Sequence, residues 1–202
     1  PLFTQADFDA ERAKLIEGLK SDEKSASAIA ARVQNVLTYG KEHYNGEFTS
    51  EETLKNVTLQ DVINHYNTYF VPSNAYLVVI GDVKTADVKK KVEELFGADV
   101  WKKATAPNLT YNDPKDLQYS QINFVDVPNA VQSEIALINL SKLKMNDKDY
   151  FAAILANQIL GGGGEGRLFL NLREKHGWTY GSYSNLGASK YVSKFFLTAS
   201  VR

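Results

Sequence analysis

The chain has 202 residues, a net charge of −1 from 23 Lys plus Arg against 24 Asp plus Glu, and 44% apolar side chains. That composition predicts one large or two small globular domains, excludes disorder, and offers no basic excess to hold nucleic acid or an anionic membrane surface. Cys is absent, which removes disulfides, thiolate metal sites and a Cys nucleophile, and no apolar run approaches the ~20 residues that span a bilayer.

The chain opens at Pro1 without Met or a signal peptide and closes at Val201-Arg202 inside a strand-like run, so it is expected to be a piece of a longer polypeptide. Phe8, Leu15, Ile16 and Leu19 share one face at helical spacing over residues 6–20. Ala26, Ile29, Ala30, Val33, Val36 and Leu37 form a second stripe, with Gly40 as its C-terminal stop. Residues 41–50 read as a loop. Thr49 with Glu52 and Thr58 with Asp61 carry the helix-start pattern, and the second opens a helix through Tyr69 that Pro72 ends. Ala75 to Ile80, closed by Gly81-Asp82, reads as a buried strand. Val88, Val92, Leu95 and Phe96 then mark another helix, stopped at Gly97.

Residues 98–117 lose periodicity and gather Pro107, Pro114, Asn and Asp, so a linker is expected there, over 106–117 at its narrowest. Gln121 to Val127 and Ser133 to Leu140 are strand-like around Pro128-Asn129. Asn146 with Asp149 fits the cap of a helix to Leu160. Four glycines, Gly161 to Gly164, precede a short helix from Arg167 to Lys175, then strands at Thr179 to Ala188 and Lys194 to Val201. The fold class is α/β of the α+β type: mixed or antiparallel sheets with helices packed on one face. The strict β-α-β alternation of a doubly wound sheet is missing.

Gly161, Gly163 and Gly166 form a G-x-G-x-x-G pattern. A dinucleotide site needs those glycines to follow a strand. Here they follow a helix, and Arg167-Leu168 replaces the Lys-Ser/Thr of a phosphate loop, so a helix-to-helix turn is the better reading and a nucleotide-binding module the weaker one. His43, His65 and His176 are separated by 22 and 111 residues, so no helical zinc pair exists. They read as a loop, a helix surface and a turn after a helix. Glu51-Glu52 and Glu93-Glu94 read as solvated helix faces, and no Ser or Thr sits in a nucleophile elbow. Residue chemistry alone yields no self-sufficient catalytic set.

The segment from Leu160 through Gly161–Gly164, Arg167, Leu172-Arg173-Glu174, Gly177 and Tyr180-Gly181 resembles the glycine-rich turn and L-R-E-x-x-G-x-x-Y-G motif of the M16 (pitrilysin-like) zinc peptidases. Asn56 to Asp61 with Tyr69 to Asp82 is similar to the end of an M16 domain, and Asn129 to Ile135 to the first hairpin of the next. The resemblance covers nearly the whole chain. It implies residues 1–105 as the C-terminal part of one M16-like domain, 106–117 as linker and 118–202 as the N-terminal part of the following one.

In that family four such domains enclose a chamber. One half carries H-x-x-E-H and a distant Glu that bind zinc, and the other supplies an Arg and a Tyr to the bound peptide. H-x-x-E-H is absent here, and the distal Glu position falls on Gly18, with Glu17 one residue and about 100° of helix rotation away. The resemblance therefore implies the metal-free, inactive half. No metal or cofactor is expected in this chain, and zinc is expected in a partner half, on the same chain or another subunit. Arg173 and Tyr180 occupy the family's Arg/Tyr positions, with Arg167 as the rival Arg. Read without the resemblance, they are a helix-surface Arg and a strand Tyr with packing roles. The chain alone is expected not to hydrolyse peptides; a non-catalytic peptide-binding or scaffold homologue is the alternative. Likeness to exported bacterial members implies the periplasm or cell envelope.

Overall fold

The computed structural model describes residues 1–97, 101 and 104–202. Part of the expected linker, 98–100 and 102–103, lies outside the described residues. The chain divides into two compact units that interleave along the sequence: residues 1–15 with 51–110, and residues 16–50 with 111–202.

The first unit holds the N-terminal part of α1 (Gln5–Asp22), then α3 (Glu51–Asn56), α4 (Leu59–Tyr69) and α5 (Thr85–Phe96). Thr4 Oγ1 accepts from the Asp7 backbone N–H at 3.1 Å and so starts α1. The Thr58/Asp61 pattern is realised as a reciprocal capping box on α4, one bond at each end. Phe3 meets Tyr66 edge-on at 5.3 Å, Tyr66 stacks on Phe70 at 4.8 Å, and Val71 is buried. Pro72 opens a single 3₁₀ turn to Asn74.

The second unit is built on an antiparallel sheet in the order β1-β3-β2: β1 (Ser133–Ser141), β2 (Thr179–Leu186) and β3 (Ser193–Val201). The β1–β3 ladder runs unbroken from Ser133 opposite Val201 to Ser141 opposite Ser193. The β2–β3 ladder slips by one residue between Thr179 and Ser182, a bulge. Because side chains alternate between faces, Ser184, opposite Leu197, points to the other side from Lys194. On the Ser184 side lies α6 (Tyr150–Gly161), where Asn157 Nδ2 donates to the Ser184 carbonyl at 3.3 Å. On the Lys194 side lies α2 (Ala26–Tyr39), where Lys194 Nζ donates to Asn35 Oδ1 at 2.8 Å. Besides the helices expected on one face, the structure thus brings α2 to the other, from 159 residues away. Burial holds the Lys194 ammonium below its usual pKa.

Three expectations are corrected. Residues 75–80 and 121–127 form no strand among the described residues, and both are exposed, with Ile80 at 92% and Ile122 at 101%. Their β-branched composition fits a strand, but a strand exists only where a neighbour satisfies its N–H and C=O groups. The helix assigned to an Asn146 cap starts instead at Tyr150. Asp147 Oδ2 accepts from the Lys144 backbone N–H at 2.8 Å, which closes a turn, and Asp149 takes the cap position without a side-chain bond. Residues 26–39, 167–175, 133–141, 179–186 and 193–201 take the helical or strand type expected of them.

Candidate functional site

The glycine run is a packed corner. At Gly161, the last residue of α6, a Cβ would stand 2.7 Å from Leu168 Cδ1 and from the Ser184 backbone N. Any larger residue would drive α6 off β2. From Gly166 the chain enters α7 (Arg167–Phe169), which passes directly into a π-helical turn, Leu170–Lys175. The His176 N–H reaches the Asn171 carbonyl at 3.2 Å and the Gly177 N–H the Arg173 carbonyl at 2.9 Å. Gly177 takes φ +63°, which the absence of a Cβ allows, and turns the chain into β2.

This route brings Arg173 beside the start of β2. Its Nη1 donates to the Tyr180 carbonyl at 2.9 Å, and its guanidinium lies 4.9 Å from the centroid of the Phe169 ring. Glu174 Oε1 is 3.5 Å from its Nε. Tyr180 sits at the bulge, 75% exposed, and its phenol has no hydrogen-bond partner among the described residues. Thr179 Oγ1 bonds both the Gly181 N–H and the Gly181 carbonyl, which fixes the bulge from below. Arg173 and Tyr180 line one cavity of about 250 Å³ with Gln132, Gly177, Trp178, Thr179 and Arg202. His176 stacks on Trp178 at 4.3 Å on the approach to it. Such a cavity has guanidinium and phenol donors and can hold carbonyl or carboxylate oxygens.

The remaining candidates lie apart. Arg167 begins α7, exposed, and lines a different groove with Leu170, Asn171 and Lys175. His43 is buried in the turn after α2, between Tyr39 and Tyr44, and its Nδ1 accepts from the Asn45 N–H at 3.1 Å. His65 is exposed on α4 against Tyr69. Among the described residues no three His, Asp or Glu side chains gather closely enough to hold a metal, and at Gly18 a side chain would meet open space. The described residues do not fit a zinc site. Gln132, Trp178 and Arg202 line the cavity as well, and no sequence motif marks them. Gln132 and Arg202 flank the paired Ser133 and Val201, and only the register of the sheet brings them together.

The antiparallel sheet with helices on its faces makes this an α/β scaffold of the α+β type. Residues 56–202 match the family described as the peptidase M16 inactive domain, and the chain belongs to that family. It is 22% identical over 148 residues to "Probable inactive metalloprotease YmfF" of Bacillus subtilis, covering 73% of this chain and 33% of that protein. The crystal structure of a peptidase M16 inactive domain from Pseudomonas fluorescens superposes with a TM-score of 0.83 at 22% identity, over 100% of this chain and 48% of that one. The periplasmic protease PqqL from Escherichia coli superposes with a TM-score of 0.66 at 16% identity, over 100% of this chain and 22% of that one. The chain thus spans about a third to a half of the first two proteins it matches.

Proposed function

We propose that the chain is part of the non-catalytic half of an M16-type peptidase and supplies Arg173 and Tyr180 to a peptide-binding chamber. Residues 1–105 and 118–202 then belong to consecutive M16-like domains joined by 106–117. The observation that carries the reading is the pair itself: a guanidinium fixed to the strand that presents an unpartnered phenol, both on one cavity. A peptide carbonyl entering there meets donors already in place, and charge developing on it is stabilised without reorganisation. Zinc and the general base belong, on this reading, to a half bearing H-x-x-E-H.

Large apolar side chains left in water support a larger assembly. Ile80 is 92% exposed, Ile122 101% and Phe124 88%. Covering each is worth about 1.5–3 kcal/mol. The likeness to PqqL, whose name places it in the periplasm, supports an envelope location. The test is peptide hydrolysis by the complete polypeptide, with and without an H-x-x-E-H half. Activity that requires that half and falls in Tyr180→Phe supports the proposal. Hydrolysis by this chain alone, with zinc bound to it, would overturn it. A scaffold role without hydrolysis is the second reading, favoured by the name of the Bacillus relative. It predicts peptide binding by the complete assembly with no turnover.

A further inference from the structure

Trp178 lines the same cavity as Arg173 and Tyr180, and local contacts fix it there. Its N–H donates to the Leu172 carbonyl at 2.9 Å, which ties its backbone to the π turn. Gly177, at φ +63°, sets the turn just before it. The His176 imidazole stacks on its ring, with centroids 4.3 Å and planes 18° apart. All of these contacts lie within residues 172–178, so the π turn itself places the ring. Thr179 is buried, and side chains alternate along an extended chain. Trp178 and Tyr180 therefore share the face opposite Thr179, about 7 Å apart along the chain. The ring is not needed to hold the strand at Tyr180, which Arg173 and Thr179 already fix.

We infer that Trp178 is a specificity-determining residue of this site, a platform that selects a peptide with an aromatic side chain near the held carbonyl. An extended peptide repeats its own same-face side chains about every 7 Å. A peptide whose carbonyl reaches the Tyr180 phenol therefore brings a side chain within reach of the indole. An aromatic ring docks on an indole offset or edge-on, and gains more there than an aliphatic group of similar size. His176 is the positioning residue: by stacking on the indole it holds the ring in one orientation, and a ring already ordered loses little freedom when the ligand arrives.

The inference rests on the peptide-chamber reading and is tested apart from it. Labelled, uncharged peptides of about eight residues carry Phe, Leu or Ala at each central position in turn and are titrated by fluorescence polarisation against the complete polypeptide. At one position Phe is expected to bind about tenfold tighter than Ala, and Leu distinctly less tightly than Phe. The readout is the Phe-to-Ala ratio, because a general loosening of the site would weaken both peptides alike. Trp178→Leu should bring that ratio close to one, and Trp178→Phe, which keeps a ring, should retain most of it. His176→Ala should lower the ratio and His176→Phe should restore it. Equal binding of the Phe and Ala peptides at every position overturns the inference and leaves the chamber reading standing. So does Leu binding as tightly as Phe, or an unchanged ratio in a folded Trp178→Leu. Failure of every peptide to bind overturns both.

Discussion

Arg173 binds Tyr180 through the main chain, its Nη1 donating to the Tyr180 carbonyl at 2.9 Å. The two side chains are therefore not partners of each other. The guanidinium fixes the strand position from which the phenol projects, and it stays fixed by stacking on Phe169 at 4.9 Å. Tyr180 thus carries a free hydroxyl on an anchored backbone, the arrangement that electrostatic stabilisation of a developing oxyanion needs.

A division of labour follows for the complete assembly. On the proposed reading, Tyr180→Phe would remove one donor from the reacting carbonyl and lower kcat by ~10²–10³ with little change in KM. On the same reading Arg173→Ala should chiefly raise KM, because it would loosen both the proposed substrate contact and the strand that carries Tyr180. Arg173→Lys should not restore it, since an ammonium cannot reproduce a planar fork that bonds and stacks at once. Metal content should be the same in all three variants. Full activity of a folded Tyr180→Phe assembly would leave Tyr180 with packing alone.

The glycine run should behave as a packed corner rather than a ligand loop. Gly161→Ala forces a methyl against Leu168 and Ser184, each 2.7 Å away, and should cost about 1–3 kcal/mol in a denaturant melt. Gly163→Ala, whose methyl would find only Gln158 Nε2 at 3.4 Å, should change stability by no more than about 0.5 kcal/mol. Equal effects at the two positions would mean that α6 and β2 are not in close contact at this corner.

Local chemistry was legible and tertiary pairing was not. The stripes behind α1, α2 and α5 lie within one helix each, and the Thr58/Asp61 box is complete within four residues. The β-rich runs 75–80 and 121–127 misled because composition reports that a strand is possible, not that a neighbour is present. The need for glycine at 161 is tertiary, since it comes from the close approach of Ser184. The motif located Arg173 and Tyr180, yet the π turn that carries Arg173 has no sequence mark. Gln132 and Arg202 are 70 residues apart and share a cavity solely through the β1–β3 register.

Gly18 offers a test of helix energetics in α1. It lies within Gln5–Asp22, exposed, and an added methyl would touch nothing within 4 Å. Gly18→Ala should therefore raise stability, or the helicity of α1, by about 0.5–1 kcal/mol through backbone entropy alone. A loss of stability would show that this face of α1 is covered by something that tolerates only Gly.

The capping box on α4 sets a pH dependence whose sign can be worked out. Asp61 Oδ2 accepts from the Thr58 hydroxyl at 2.6 Å and from the Thr58 N–H at 2.8 Å, and the Thr58 hydroxyl oxygen accepts in turn from the Asp61 N–H at 3.2 Å. Those bonds, the hydroxyl's first, hold the Asp61 carboxyl below its ordinary value of 3.8. A carboxyl depressed in the folded state binds fewer protons there than in the unfolded chain over the interval between the two values, so stability rises with pH across it. The contribution is fully present above 3.8 and is lost as pH falls through the lower, folded value. Hydrogen exchange of the first-turn amides of α4 should accordingly show protection that declines only in that acid range. Thr58→Ala removes the larger cause, so the acid midpoint of that protection should move up towards 3.8 and α4 should lose about 1 kcal/mol at neutral pH. An acid profile in Thr58→Ala identical to that of the parent chain would mean that the hydroxyl does not hold the carboxylate, and that α4 is started by its packing instead.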